Sequence, residues 1–387
     1  MKKLAIVTTH PIQYNAPVFR MLQERNVIAI KVFYTWGEKV LENKYDPGFN
    51  RVIDWDIPLL NGYDYIMVNN TSKEPGTHHY KGIINPHLSD EIELWEPDAL
   101  LILGWSYQSH FKCLRHFKKN KKVFFWGDSN LLDQSNNPLK KFIRKIFLTW
   151  VYSYVDVAFY VGKANKDYYL EYGIKKENMV FVPHAIENVR FSTEMKTNFR
   201  ENLKIDKSKI LFLFAGKFEV KKDPLLLLNA FRAINNSDTE ILFVGNGPLE
   251  IEMKKMVLNF PEDLRKNIHF LDFQNQSLMP DVYKCCDVFV LPSKGPGETW
   301  GLAINEAMAS SKPVLVSNKC GAAMDLVQDG INGYVFESGQ MNSLIEKMKI
   351  FINQREKLMA YGKQSHEIIS EWSFQKICLA IESAVIN

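Results

Sequence analysis

Short apolar runs recur along the chain, and the stretches between them carry helical spacing. In the first half the runs are Leu4–Thr8, Val27–Tyr34, Leu100–Gly104, Val123–Trp126, Val157–Val161 and Val180–Val182. In the second half they are Ile210–Ala215, Ile241–Val244, Ile268–Leu271, Val288–Leu291, Val314–Val316 and Gly333–Phe336. Apolar runs without polar alternation are what parallel strands covered on both faces look like. Alternation of such strands with helices predicts βαβ units. At 387 residues the chain is long for a single core, so two domains are expected. The predicted fold class is α/β, with two doubly wound Rossmann-like domains in series that face each other across a cleft. The expected division is residues 1–190, residues 191–366, and a helical tail over 367–387. The seam is placed near residues 186–205, where Glu187, Arg190, Glu194, Lys196, Arg200 and Glu201 cluster between two strands.

Composition narrows the class without naming a function. Apolar residues make up 46% and charged residues 24%, ordinary for a globular protein. A net charge of +4 gives no argument for nucleic acid. The five cysteines contain no CxxC pair, so neither a disulfide framework nor a zinc site is implied and a reducing cytosol is expected. The opening run Leu4–Val7 is too short for a signal peptide. The aromatic-apolar region Phe147–Val161, broken by Ser153 and Asp156, falls short of the roughly 18 apolar residues a membrane span needs.

Ligands of doubly wound sheets bind at the carboxyl ends of the strands. Four stretches of the second half follow strands: Gly216 to Pro224, Gly245-Asn246-Gly247-Pro248, Pro292 to Gly301, and Gly321-Ala322-Ala323. The third leads into a helix predicted to start near Gly301. It sets Glu298 on the loop and Glu306 between one and two turns into the helix. The positive end of that helix favours an anion, and a carboxylate further in accepts hydrogen bonds from sugar hydroxyls. A ligand with phosphates at one end and hydroxyls at the other, such as a nucleotide sugar, suits both. Lys217 and Lys222 follow the strand Ile210–Ala215, where two ammonium groups suit a pyrophosphate and stabilise a departing phosphate. Taken alone, Lys217, Lys221 and Lys222 also read as a solvated charge run, and Gly245-Asn246-Gly247 lacks the third glycine of a dinucleotide fingerprint.

Taken together, these pieces resemble the C-terminal half of the family 4 glycosyltransferases, retaining enzymes of GT-B fold. The resemblance covers roughly residues 160–340 and rests on FLFAGKFEVKKDPLLLLNAF, ILFVGNGPLE, CCDVFVLPSKGPGETWGLAINEAMASSKPVLVSN and GAAMDLVQDGINGYVFE in that order. It implies that Glu306 holds the ribose hydroxyls of the nucleotide. Glu298 then lies by the donor sugar and leaving phosphate, and Lys222 binds the pyrophosphate. Lys217 stands where the family usually has arginine, keeping the charge and losing the planar fork. Main-chain N–H groups of Thr299, Trp300 and Gly301 would face the sugar and phosphate. Gly216, Gly245 and Asn246 complete the expected donor loops. The first half departs further: Thr8 to Arg20 and WDIPLLNGY resemble bacterial members associated with surface-polysaccharide assembly. His10 or Asp128 is the candidate for an acceptor-side role, against a turn histidine and a helix N-cap as the plainer readings.

The implied activity is that of a hexosyltransferase-like glycosyltransferase, with a nucleotide diphosphate sugar as donor and a glycan or lipid-linked glycan as acceptor. A sugar-nucleotide epimerase, a sugar phosphorylase and a non-catalytic sugar-nucleotide-binding protein remain as alternatives on the same fold. No cofactor and no metal are expected: Asp54-Trp55-Asp56 reads as a loop with two solvated carboxylates, and His78, His79 and His87 lack metal-ligand spacing. No nucleic acid partner is expected. In Pro138–Trp150, basic residues recur at i and i+4 among apolar and aromatic ones. That spacing fits an interfacial helix, hence a cytoplasmic protein peripheral on the inner face of the membrane. It equally fits a helix whose apolar side faces its own sheet.

Overall fold

The computed structural model of the chain describes residues 1–38, 44–46 and 48–387. Among the described residues nine strands lie in the first half: β1 (Lys3–Thr8), β2 (Ala29–Tyr34), β3 (Lys44–Asp46), β4 (Arg51–Ile53), β5 (Tyr65–Met67), β6 (Ala99–Leu103), β7 (Lys122–Trp126), β8 (Val157–Tyr160) and β9 (Met179–Phe181). Six follow: β10 (Ile210–Ala215), β11 (Thr239–Val244), β12 (Ile268–Leu271), β13 (Val288–Leu291), β14 (Val314–Ser317) and β15 (Gly333–Phe336). Each of the twelve apolar runs became a strand. The missed strands β3, β4 and β5 are three residues each, and β4 and β5 carry exposed or half-buried side chains.

The chain forms two compact units, residues 1–44, 58–184 and 374–387 in the first and residues 45–57 and 185–373 in the second. The first holds a seven-stranded sheet of order β5-β2-β1-β6-β7-β8-β9, the second a six-stranded sheet of order β12-β11-β10-β13-β14-β15. Every pairing in both is parallel. Both are therefore Rossmann-like, and in each the strand order reverses once, between β1 and β6 and between β10 and β13. In such sheets that reversal opens the crevice in which ligands sit. The core follows from the sequence directly: all six residues of β10 and all six of β11 are buried. Helix Pro224–Ile234 opens on proline, which is pre-set for the first helical position, and lays Leu227, Leu228 and Phe231 into the core.

The division differs from the expected one in three places. The first unit ends at His184, and the charged cluster read as a seam is bonded into the second unit: Arg200 pairs with Asp287 at 2.6 Å, and Asp281 accepts from the Lys196 and Thr197 amides. The tail parts at Phe374, because helix Leu358–Ser370 stays with the second unit. Helix Phe374–Ile386 joins the first, burying Ile377, Cys378 and Ile381, with Glu382 held by Arg25 Nε and Nη2 at 2.7 and 2.8 Å. Residues 45–57, the β3–β4 hairpin, group with the second unit although they precede most of the first in sequence. Among the described residues no helix is long and apolar enough to cross a membrane, and no group of three or more His, Cys, Asp or Glu gathers to hold a metal.

Candidate active site

The switch point of the second sheet brings together the loops after β10 and β13. After β10 the chain runs through Lys217 into a short turn, Val220–Lys222, and then Asp223, whose left-handed φ of 49° starts helix Pro224–Ile234. After β13 it runs from Pro292 to Gly301 and enters helix Leu302–Ala309. Gly301 stands at the N-cap with φ 97°, a conformation that side chains rarely adopt, and a Cβ there would lie 3.1 Å from Leu291. The loops are sewn together by the Lys294 amide donating to the Lys221 carbonyl at 2.8 Å and by the Lys294–Asp223 ion pair at 3.2 Å.

Two of the predicted residues meet here. Lys222 Nζ lies 2.5 Å from Glu298 Oε2, and the same oxygen accepts from the Ser293 hydroxyl at 2.8 Å. Glu298 is 6% exposed, so its charge is removed from water and rests on these partners. Glu306, 4% exposed, is the fifth residue of helix Leu302–Ala309, and its Oε2 accepts from the Tyr283 hydroxyl at 2.7 Å. The loop after β14 closes the arrangement: the Gly321 amide donates to the Glu298 carbonyl at 3.3 Å and the Ala322 amide to the Trp300 carbonyl at 3.0 Å.

The other predicted residues fall into different roles. Lys217 is paired with Asp46, 3.0 Å from each carboxylate oxygen. Lys221 pairs with Glu219 at 3.4 Å. Each of these lysines thus faces its own carboxylate, and of the three Lys222 is the least exposed. The Trp300 side chain is buried, donating through Nε1 to Asn305 at 2.9 Å and packing on Trp372 at 5.2 Å, so its indole belongs to the core. Thr299 is half-buried beside it. Asn246 is a fastener between strands: its side chain bonds Glu250, Asp272 and the Phe273 amide. Gly216 and Gly245 pass so close that a Cβ on Gly245 would sit 2.1 Å from the Gly216 carbonyl oxygen, which explains glycine there.

His10 and Asp128 belong to the first unit, at the carboxyl ends of β1 and β7. His10 Nδ1 is 2.8 Å from Thr9 Oγ1, and its ring stands edge-on to Trp36 at 5.0 Å. Asp128 caps no helix, the next one starting at Pro138. It lies 3.9 Å from His184. Burial holds the His184 imidazole below the usual histidine range, opposed by the Asp128 carboxylate. The Asp54-Trp55-Asp56 loop is also more than solvated: the Asp56 carboxylate accepts from the Ser277 amide at 3.1 and 3.2 Å.

Sequence reasoning missed Ser293, Tyr283 and Asp46. Ser293 was legible as the first polar residue after a buried strand. Tyr283 and Asp46 gave no signal, because each reaches the site from a distant element.

Residues 195–367 match the model of the family described as glycosyl transferases group 1. Over 214 residues the chain is 26% identical to the lipopolysaccharide 1,2-N-acetylglucosaminetransferase of Salmonella typhimurium, covering 53% of this chain and 56% of that protein. Over 175 residues it is 30% identical to the UDP-Gal:alpha-D-GlcNAc-diphosphoundecaprenol alpha-1,3-galactosyltransferase of Escherichia coli, covering 43% of each. The chain spans about half the length of the curated relatives it matches. Anabaena HepE, solved in complex with UDP and glucose, superposes over 100% of both chains with a TM-score of 0.72 at 15% identity, a likeness of fold. The two Rossmann-like domains share the fold of the GT-B glycosyltransferases, and residues 195–367 are similar to the glycosyl transferases group 1 family.

Proposed function

We propose that the protein is a retaining, metal-independent glycosyltransferase that moves a sugar from a nucleotide diphosphate sugar to an acceptor hydroxyl in cell-surface polysaccharide or glycolipid assembly. One observation carries this reading: the buried Lys222–Glu298–Ser293 cluster stands at the sheet's switch point, on the loop that enters helix Leu302–Ala309. An anion at that helix end is stabilised by the helix dipole. Lys222 and Lys217 supply cationic partners for a diphosphate, and Glu306, oriented by Tyr283, supplies the acceptor for ribose hydroxyls. The relatives named for transfer of N-acetylglucosamine and galactose, and the UDP held by HepE, support a nucleotide sugar.

In the reaction the acceptor oxygen bonds to the anomeric carbon on the face from which the diphosphate departs. The carbon–oxygen bond to the diphosphate breaks, and the acceptor proton passes to a diphosphate oxygen. The lysines and the helix end oppose the charge that grows on the leaving group, stabilisation that rises toward the transition state. A thermal-shift screen with UDP, GDP, ADP and dTDP, followed by their sugars, tests the site, since a ligand that binds only the folded state raises the melting temperature. No shift with any of them overturns the donor site. Conversion of a nucleotide sugar without acceptor favours the epimerase reading, and an inverted anomeric centre in the product rules out retention.

The acceptor partner is a glycan or lipid-linked glycan, and helix Pro138–Tyr152 supports access to it at a membrane surface. Leu139, Phe142, Ile143, Ile146, Phe147 and Trp150 form one stripe at i, i+3, i+4, i+7, i+8 and i+11, and all are exposed, by 44% to 66%. Its own core contacts come from Leu148, Val151 and Tyr152 on the other side. The side opposite the stripe also carries Lys140, Lys141, Arg144 and Lys145, with Lys145 paired to Glu171 at 3.0 Å and no acidic residue in the helix, and Arg115 lies over the Trp150 ring at 6.0 Å. An apolar stripe with a wholly basic polar face fits an anionic bilayer.

A further inference from the structure

The β3–β4 hairpin reaches the second unit from the first half of the sequence and is fastened there at both ends. At its base Asn275 donates to the Asp54 carbonyl at 2.5 Å and the Asp56 carboxylate takes the Ser277 amide. At its tip Phe49 packs on Phe273 at 4.8 Å, and Arg51 lies over the same ring at 5.3 Å. The hairpin therefore touches the loops that follow β10, β11 and β12, through Lys217, Asn246 and Phe273 in turn.

Three hairpin residues converge on Lys217. Its ammonium lies 3.0 Å from both Asp46 oxygens and 5.0 Å from the centre of the Phe49 ring. The Asp46 carboxylate is itself fixed, because its Oδ1 accepts from the Gly48 amide at 2.8 Å and the Phe49 amide at 3.2 Å. Gly48 leaves the room: a Cβ there would stand 2.5 Å from Lys217 Cδ and 2.7 Å from its Nζ. A lysine on four rotatable bonds lacks the built-in orientation of an arginine fork. A carboxylate, a ring face and a gap for the stem together supply that orientation from outside.

We infer that Asp46 is a positioning residue for Lys217, and that Asp46, Gly48 and Phe49 form a seat that holds this ammonium ready for the donor's diphosphate. The inference rests on the donor-site reading above. A carboxylate that merely competed with phosphate for Lys217 would have the opposite effect when removed, so the sign of one measurement decides.

The test is UDP binding by titration calorimetry to the full chain, with circular dichroism and melting temperature recorded for each variant. Lys217→Ala is expected to weaken UDP binding, and Asp46→Asn to weaken it about tenfold, within the range of coupling between contacting residues. Asp46→Glu should recover part of that loss. Gly48→Ala keeps both charges and displaces the lysine stem, and should weaken binding in the same sense. In the Lys217→Ala background, Asp46→Asn should have no further effect, whereas a purely structural role would persist there. Tighter UDP binding by Asp46→Asn, or an undiminished effect in the double variant, overturns the seat. Wild-type UDP affinity in Lys217→Ala removes Lys217 from the donor site and the seat's purpose with it, a failure distinct from the other two.

Discussion

The ammonium of Lys222 stands 2.5 Å from Glu298 Oε2, an oxygen that also accepts from Ser293. Lysine and glutamate come from loops after two strands that are neighbours in the sheet, β10 and β13, yet are separated in sequence by two further strands. The pair neutralises two ions largely removed from water, and it places the cation beside the entrance to helix Leu302–Ala309. Under the proposed function, a diphosphate arriving there would meet a lysine already held and largely removed from water.

Lys222→Ala should cost about a hundred- to thousandfold in turnover, the scale of one lost donor to a charge that develops in the transition state. Assayed below the variant's melting temperature, turnover near wild type would remove the lysine from the mechanism. The same variant leaves Glu298 buried without its cation, so a loss of about 3–5 kcal/mol in unfolding free energy is expected from urea titration.

Tyr283→Phe should destabilise the fold by about 1–3 kcal/mol, because the buried Glu306 carboxylate then loses a hydrogen-bond donor. Weaker UDP binding should accompany it, through loss of orientation at Glu306. A variant with wild-type urea midpoint and wild-type UDP affinity would show that this hydroxyl neither supports nor aims the glutamate.

His110 gives the pH dependence. The side chain is fully buried, with Nδ1 2.9 Å from the Gly104 carbonyl and Nε2 2.8 Å from the Thr35 hydroxyl. Burial lowers its pKa from 6.5 to about 4. The folded protein thus resists a proton that the unfolded chain accepts. The stabilisation is complete above pH 6.5 and is lost as pH falls toward 4, at about 1.4 kcal/mol per pH unit, roughly 3 kcal/mol in all. Urea midpoints measured between pH 7 and pH 4 should fall, and His110→Gln should flatten that part of the slope. An equal slope in both proteins would assign the acid sensitivity elsewhere.

Phe142→Ser with Ile146→Ser should abolish sedimentation with vesicles of phosphatidylglycerol and phosphatidylcholine while leaving the melting temperature within about 1 °C, since both side chains are exposed and substitutions at such positions are usually near neutral. Binding of the unaltered chain should fall with added salt and be weak on pure phosphatidylcholine. Indifference to lipid charge would reject the bilayer as the occupant. A change from dimer to monomer on sedimentation would assign the stripe to a second copy of the chain.

Much of this architecture was legible before any coordinates. Twelve apolar runs marked twelve strands, because a strand buried on both faces must be apolar throughout, and that requirement is local. Glu298 and Glu306 were placed correctly relative to helix Leu302–Ala309 because the interval between them is counted along the chain. The strands β3 to β5 escaped notice because each is only three residues long, too short to show a period. The charged stretch at 187–201 was read as the seam, whereas the first unit ends at His184, since a charge paired with Asp287 looks, in sequence, like one in water.

By itself, then, the sequence determined the two parallel sheets, the order of their strands along the chain, and the set of loops that could carry chemistry. Tertiary structure alone decided the partners. Lys217 and Asp46 lie 171 positions apart, and Tyr283 reaches Glu306 from another helix. The physical reason is that burial constrains each segment through its own apolar content, whereas an ion pair depends only on distance in space. That distance is fixed by which strands lie side by side and where the hairpin is fastened, and neither is written in any local stretch of residues.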